Sequence, residues 1–213
     1  DLLIQYFKDD ATAFNAAKKG SIHDKGIINN KISTKIFEYL IAHGIPTHFE
    51  KSLSDREMLV KRVQIVPLEV IIRNVAAGSL SRILGIEEGT SLACPVLEFC
   101  YKEDKLNDPM INETHIRALK LATDEEVEQI KKYTLKINEL MLKFFSSLNI
   151  KLIDFKLEFG KYKGKVILAD EISPDTCRLW DAKTGDKLDK DRFRRDLGNI
   201  EQAYQEVLSR VSR

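Results

Sequence analysis

The stretch Asp154-Phe155-Lys156-Leu157-Glu158-Phe159-Gly160 decides how this chain folds. Successive side chains of a strand point to opposite faces. Ile153, Phe155, Leu157 and Phe159 therefore share one face, and Asp154, Lys156 and Glu158 share the other. The apolar face belongs against a core. The charged face could simply be solvated, as on one side of many antiparallel sheets, but the returning segment argues otherwise. Residues 166–172 follow a turn expected at 160–164 and close a β-hairpin. Val166, Ile167, Leu168 and Ala169 show no alternation, the pattern of a strand covered on both sides. With the turn centred on Tyr162, Asp170 lies opposite Asp154 on the same face. Three carboxylates and one lysine at the edge of a buried hairpin need compensation. Mg²⁺ with nucleotide phosphates supplies it, because carboxylate oxygens are its preferred ligands.

Working outward, a long helix is expected over 123–148. Thr123 and Glu126 form a capping box, and Ile130, Tyr133, Ile137, Leu140, Met141 and Phe144 keep a helical stripe. Upstream lie a strand over 96–102, a loop-rich stretch over 74–89, and two β-branched runs, 58–66 and 69–74, divided by Pro67. The N-terminal third reads as a small sheet with one helix. Residues 2–7 form a strand that ends in the turn Lys8-Asp9-Asp10, and a helix spans 30–43 until Gly44 and Pro46 stop it. Ile200, Ala203, Tyr204, Val207, Leu208 and Val211 stand on one face of a final helix, read as packing alone. Strands and helices mix without regular βαβ alternation, so the class is α+β. Neither a GxGxxG nor a GxxxxGK[ST] loop is present, so any nucleotide is held without a Rossmann or P-loop cradle.

Composition narrows the partners. The chain has 213 residues, 34 Lys plus Arg against 33 Asp plus Glu, and a formal net charge of +1. Such a balance offers no global field for nucleic acid or an anionic membrane, so phosphate recognition must be local. No apolar run approaches the length of a membrane span. The three cysteines, Cys94, Cys100 and Cys177, are odd in number and lack metal-ligand spacing, which fits reduced thiols in cytoplasm.

Three further segments carry site chemistry. In Arg73-Asn74-Val75-Ala76-Ala77-Gly78-Ser79 an arginine leaves a strand ahead of small residues, which would let backbone amides approach a ligand; a Gly-Ser turn capping a short helix fits equally well. The guanidinium fork suits phosphate. The polar loop 170–181 sets Arg178 beside the single tryptophan, Trp180, and taken alone reads as a surface turn. The run 189–196 reads equally as a charged helix start whose apolar face is Phe193 and Leu197.

Eight stretches together resemble the SAICAR synthetase family, in that family's order. They are KDDATAFN (8–15), KGIINN (25–30), GIPTHF (44–49), PLEVIIRNVAAGSL (67–80), DPMIN (108–112), DFKLEFG (154–160), LADEISPDTCRLWD (168–181) and DKDRFRRDLG (189–198). The resemblance implies a two-lobed fold related to protein-kinase and ATP-grasp architectures. A small β-rich lobe over 1–66 and a larger α+β lobe over 67–213 would clasp ATP between them, with the strand near 59–65 holding the adenine as a kinase hinge does. It implies an ATP- and Mg²⁺-dependent ligase that condenses L-aspartate with carboxyaminoimidazole ribonucleotide, working in cytoplasm as a homodimer. By matching position, Glu158 and Asp170 would hold the metal. Lys61, Lys102, Lys156 and Glu158 would contact ATP, and Arg73, Ser79, Arg178 and Asp108 would bind substrate. Lys156, Asp154 and Asp170 would act in catalysis. In the family a strand and a Gly-Lys loop over the phosphates precede the part matched here, so an opening segment ahead of Asp1 is expected. Two rival readings are a small-molecule kinase with Asp154 as base and a non-catalytic nucleotide-binding module.

Overall fold

The computed structural model describes residues 1–13 and 17–213, so Phe14 and Asn15 of the 8–15 motif lie outside the described residues. The chain opens with strands β1 (Leu2–Tyr6), β2 (Asp10–Ala13) and β3 (Lys18–Ser21), then helix α1 (Lys25–Ala42). Strands β4 (Phe49–Ser52), β5 (Glu57–Lys61) and β6 (Gln64–Val75) follow, then α2 (Gly78–Leu84), β7 (Ser91–Tyr101), β8 (Met110–Ile111) and α3 (Glu113–Ala118). The long helix α4 (Asp124–Ser147) leads into β9 (Ile150–Tyr162), β10 (Lys165–Ala169) and β11 (Cys177–Asp181), and α5 (Asp191–Arg194) and α6 (Ile200–Val211) finish the chain. The class is α+β, as the mixed pattern requires. No helix among the described residues is long and apolar enough to cross a membrane.

Three antiparallel sheets form: β1-β5-β4, the pair β2-β3, and a large sheet ordered β10-β9-β6-β7-β8 with β11 also on β9. The deciding strand, β9, lies inside the large sheet, between β6 and the edge pair β10 and β11. From Phe155 onward its apolar face behaves as the alternation demands: Phe155, Leu157 and Phe159 are all at most 1% exposed in the main core. Ile153, beside a register shift against β11, packs separately with Val75 and Ala77, and Leu152 takes its place in the core. Val70 and Ile72 of β6 share that side, and α4 covers it with Val127, Ile130, Ile137, Met141 and Phe145. The cap of α4 is as read: Thr123 Oγ accepts from the Glu126 amide and the Glu126 carboxylate accepts from the Thr123 amide.

Several boundaries moved for tertiary reasons. Helix α1 begins at Lys25 rather than 30, because its first turn is capped from afar: the Gly26 amide donates to Asp9 Oδ1 at 2.9 Å. Arg56 grips the same carboxylate through both terminal nitrogens, at 2.7 and 2.9 Å. Pro67 does not divide two strands. β6 runs through it with a register shift between Ile65 and Glu69, a bulge of the kind that tolerates proline in a sheet. The stretch 74–89 holds helix α2, closed by Gly85 in the left-handed conformation. Phe193 packs on the core, but Leu197 is 47% exposed and is no part of an apolar face. The division expected at 66/67 falls within β6, and one hydrophobic cluster joins Phe7, Ile36 and Phe37 to Leu157, Phe159 and Tyr204.

Replacing Thr123 with Ala removes the side-chain half of the α4 cap and should cost about 1 kcal/mol. In thermal unfolding this should appear as a fall in Tm of about 2–4 °C, with catalysis unchanged.

Candidate active site

The polar face of β9 becomes a site because two strands share its outer edge end to end. β10 pairs as far as Ala169 opposite Glu158, and β11 takes over at Cys177 opposite Phe155. Between them residues 170–176 swing out of the sheet, and Asp170 makes the departure with a left-handed backbone, φ 61°. The turn is therefore at Lys163-Gly164, and Asp170 lies past the Glu158 position, not opposite Asp154. The detour leaves a cavity of about 430 Å³, floored by Asp154 and Lys156 and walled by Asp170, Glu171, Arg178 and Arg194.

What faces Asp154 is a pair of arginines. Arg73 of β6 and Arg178 of β11 both lie directly across from it. Arg73 Nη1 donates to Asp154 Oδ2 at 2.9 Å, and Arg178 Nη1 reaches both oxygens at 3.1 and 2.9 Å. Every nitrogen of Arg73 has a partner, since Nε also donates to Glu98 at 2.7 Å and Nη2 to Ser79 Oγ at 2.9 Å. Arg178 differs. Its Nε is tied to Asp191 at 2.9 Å, but Nη2 has no partner among the described residues and faces Gly78. Gly78 has φ 56°, and a side chain there would collide with the Arg178 guanidinium, so glycine is required on both counts.

Lys156 settles a second conflict. Glu69 and Glu158 stand directly opposite each other, a like-charge pair that alone would destabilise the sheet. Lys156 Nζ donates to Glu69 at 2.6 Å and to Glu158 at 2.9 Å, and Lys102 Nζ adds a bond to Glu158 at 3.0 Å. Burial by itself would lower the Lys156 pKa, yet the two carboxylates outweigh it and hold the ammonium charged. Burial also pushes Glu158 up, and the two lysines overcome it and keep that carboxyl below its ordinary range.

Asp170 has no such support. Burial, and then the charge of Glu158, push it up to about 6, and no cationic side chain lies within ion-pair distance among the described residues. Glu171 is pushed to about 7 by burial and by Asp175 and Asp170, with Ser173 Oγ donating to it at 2.7 Å. Asp175 is better served, by Lys25 Nζ at 2.7 Å and the Tyr204 hydroxyl at 2.6 Å. Helix α6 is thus more than packing, since its wholly buried Tyr204 supports a loop that lines the cavity.

Asp170 also lines a second hollow. This slot of about 340 Å³ is walled by Leu3, Ile4, Val60, Val63, Ile65 and Ala169, with Lys61, His48 and Glu158 at its edges. Gly160 completes the shape, because a Cβ there would collide with Val63.

The residues expected from sequence fare differently. Asp154, Lys156, Asp170, Arg73, Ser79 and Arg178 converge on the cavity. Glu158 and Lys102 join through their ion pair. Lys61 lines the slot but turns its ammonium toward the Thr47 carbonyl at 3.0 Å and Glu50 at 3.2 Å. Asp108 does not line the cavity: its Oδ1 accepts the Glu103 amide at 2.9 Å and braces that turn. Glu69, Glu98, Asp175, Lys190, Asp191 and Arg194 escaped individual assignment. For Glu69 and Arg73 a signal existed, as lone charges four apart on one face of an otherwise apolar strand.

Two outcomes follow. Arg73→Met would leave Glu98 without its partner and Asp154 with Arg178 alone, and should cost about 3–5 kcal/mol in denaturant unfolding. Glu171 has a folded pKa raised above its unfolded value, so the stability it contributes is full below the ordinary glutamate range. That contribution is lost as pH rises through about 7. Glu171→Gln should therefore be more stable than the parent at pH 8, with the advantage vanishing by pH 5.

Known proteins resemble this chain over nearly its whole length. The family model for SAICAR synthetase matches residues 1–211. The phosphoribosylaminoimidazole-succinocarboxamide synthase of Lachnoclostridium phytofermentans is 62% identical over 211 residues, covering 99% of this chain and 90% of its own. The crystal structure of that enzyme from Ehrlichia chaffeensis superposes with a TM-score of 0.97 at 50% identity, covering 99% of this chain and 91% of its own. A SAICAR synthetase (Type-2) in complex with ADP gives 0.96 at 48% identity, with coverage of 99% and 91%. This chain belongs to the SAICAR synthetase family.

Proposed function

We propose that the slot and the cavity are the two halves of one ligase site, with ATP entering the slot and its phosphates meeting the substrate carboxylate in the cavity. The enzyme is an ATP-dependent ligase of purine biosynthesis. It joins L-aspartate to 5-amino-1-(5-phosphoribosyl)imidazole-4-carboxylate and gives SAICAR, ADP and phosphate. The observation that carries the reading is Asp170, a half-buried carboxylate shared by both hollows and lacking a cationic partner among the described residues.

The donor set fits Mg²⁺. Asp170 and Glu158 offer carboxylate oxygens, and no group of three ligating side chains stands ready among the described residues, so phosphate and water would complete the shell. Bound there with the nucleotide, Mg²⁺ supplies neutralisation of the phosphate charge.

An anionic carboxylate is a poor electrophile, so the amide cannot form directly. The imidazole carboxylate oxygen attacks the γ-phosphorus, the bond to the ADP oxygen breaks, and an acyl phosphate results. The aspartate amine, its ammonium proton passed to solvent, then attacks the acyl carbon; the C–N bond forms, and phosphate leaves with the C–O electrons and takes up the second N–H proton. Catalysis is largely positioning and charge stabilisation. Lys156 spends two N–H bonds on Glu69 and Glu158 and keeps the third for the transferring phosphoryl group. Arg178 Nη2 and Ser79 face the ribonucleotide phosphate, while Arg73, with a partner on every nitrogen, acts by holding Asp154 and Ser79 in place. Both Asp154 oxygens are committed to guanidinium groups, which leaves the rival kinase reading without its base. As a reaction of soluble metabolites it is assigned to the cytoplasm, and a homodimer is the assembly to look for by light scattering.

ADP release should require ATP, the ribonucleotide and aspartate together, and Asp170→Asn should lower turnover by at least about 100-fold while raising the Mg²⁺ needed for half-maximal rate. ADP release that ignores aspartate would contradict the ligase assignment.

A further inference from the structure

An apolar slot binds a flat base readily but discriminates between bases only through polar groups placed in it. Two neutral polar side chains line this one, Gln5 and His48, and only His48 is buried, at 4% exposure. Its backbone is pinned on both sides: its amide donates to the Leu168 carbonyl at 2.8 Å, and its carbonyl accepts the Lys61 amide at 2.7 Å. Phe37 meets the ring edge-on, with centroids 5.3 Å apart. The ring is therefore held against the slot wall. The ring bonds the Asp170 backbone, yet its buried Nε2 has no hydrogen-bond partner among the described residues.

Buried polar atoms are nearly always satisfied, so an orphan in a pocket wall calls for an explanation. Other buried side chains with an unpartnered atom, Asn29 and Asn30 of neighbouring α1 among them, line neither the slot nor the cavity, whereas His48 lines the slot. With the ring bonded to the Asp170 backbone, the remaining Nε2 offers an acceptor. That is the complement of an exocyclic amino group. The slot is also lined by Glu158 and Asp170, where phosphates belong, so a nucleotide would enter with its base toward the apolar walls.

We propose that His48 is a specificity-determining residue for the nucleobase, its imidazole hydrogen-bonding the amino-bearing edge of adenine in the slot. The inference rests on the nucleotide reading of that slot. A site built to bond an amino group rejects an analogue lacking it, because a polar group is then left unpaired.

The test is equilibrium binding of Mg-ATP and of the triphosphate of purine riboside, which lacks the exocyclic amino group, to the full chain and three variants. The parent should prefer ATP by about tenfold, the worth of one good hydrogen bond. His48→Phe, which keeps the ring's bulk, should bring the two ligands within about twofold, and His48→Gln should restore part of the preference. Equal weakening of both ligands in His48→Phe, with the preference intact, would give His48 a purely structural role and overturn the inference. Ile65→Asp, at a wall position 39% exposed, checks the slot separately. It should weaken both triphosphates several-fold, and unchanged binding would instead remove the nucleotide from the slot.

Discussion

Asp154 is held between two arginines that come from strands on either side of it, and the rest of the site is arranged around that contact. Arg73 arrives from β6 and Arg178 from β11, and both oxygens of the carboxylate are engaged at 3% exposure. Ion pairs this deep are weak evidence of net stability, because removing charges from water costs nearly what their attraction returns. Their value lies in geometry. A misaligned β11 would strand a buried charge, so the register that places Arg178 over the cavity is enforced. Arg178 then presents its remaining terminal nitrogen to the small-residue turn at Gly78.

The same charged face shows where the protein keeps its balance and where it leaves room. Glu69, Glu98, Asp154, Glu158 and Asp175 each have a cationic partner at 3.0 Å or less. Asp170, one step beyond the paired Glu158, has none. Unpaired buried charge is costly and persists where a ligand or a reaction uses it. This contrast locates the reacting centre more sharply than the size of either hollow.

Support for the centre comes from far along the chain. Tyr204 near the C-terminus and Lys25 near the N-terminus meet at Asp175, so α1 and α6 brace the loop 170–176 from behind. The small sheet is tied to the hairpin through residues 46–48, which bond β10 on both sides of Leu168. That tie also carries His48 into the slot wall. Movement between the small sheet and the hairpin would therefore alter the slot and the position of Asp170 together.

Much of this was legible in the residues. Period-2 alternation in β9, the capping box of α4 and the stripe of α6 are local patterns, and local physics decides them. The charged face of 154–158 and the small residues at 76–79 marked the chemistry, and the ordered motifs marked the family. What only the tertiary structure decided depends on contacts between distant residues. The start of α1 needed Asp9 as a remote cap, the strand through Pro67 needed a bulge against β9, and the position of Asp170 needed the true turn at Lys163-Gly164. The three partners of Arg73, the absence of Asp108 from the cavity and the unpartnered Nε2 of His48 were equally beyond a linear reading. Sequence specifies which side chains are charged and how they alternate; which of those charges are already paired is settled only when strands far apart in the chain lie side by side.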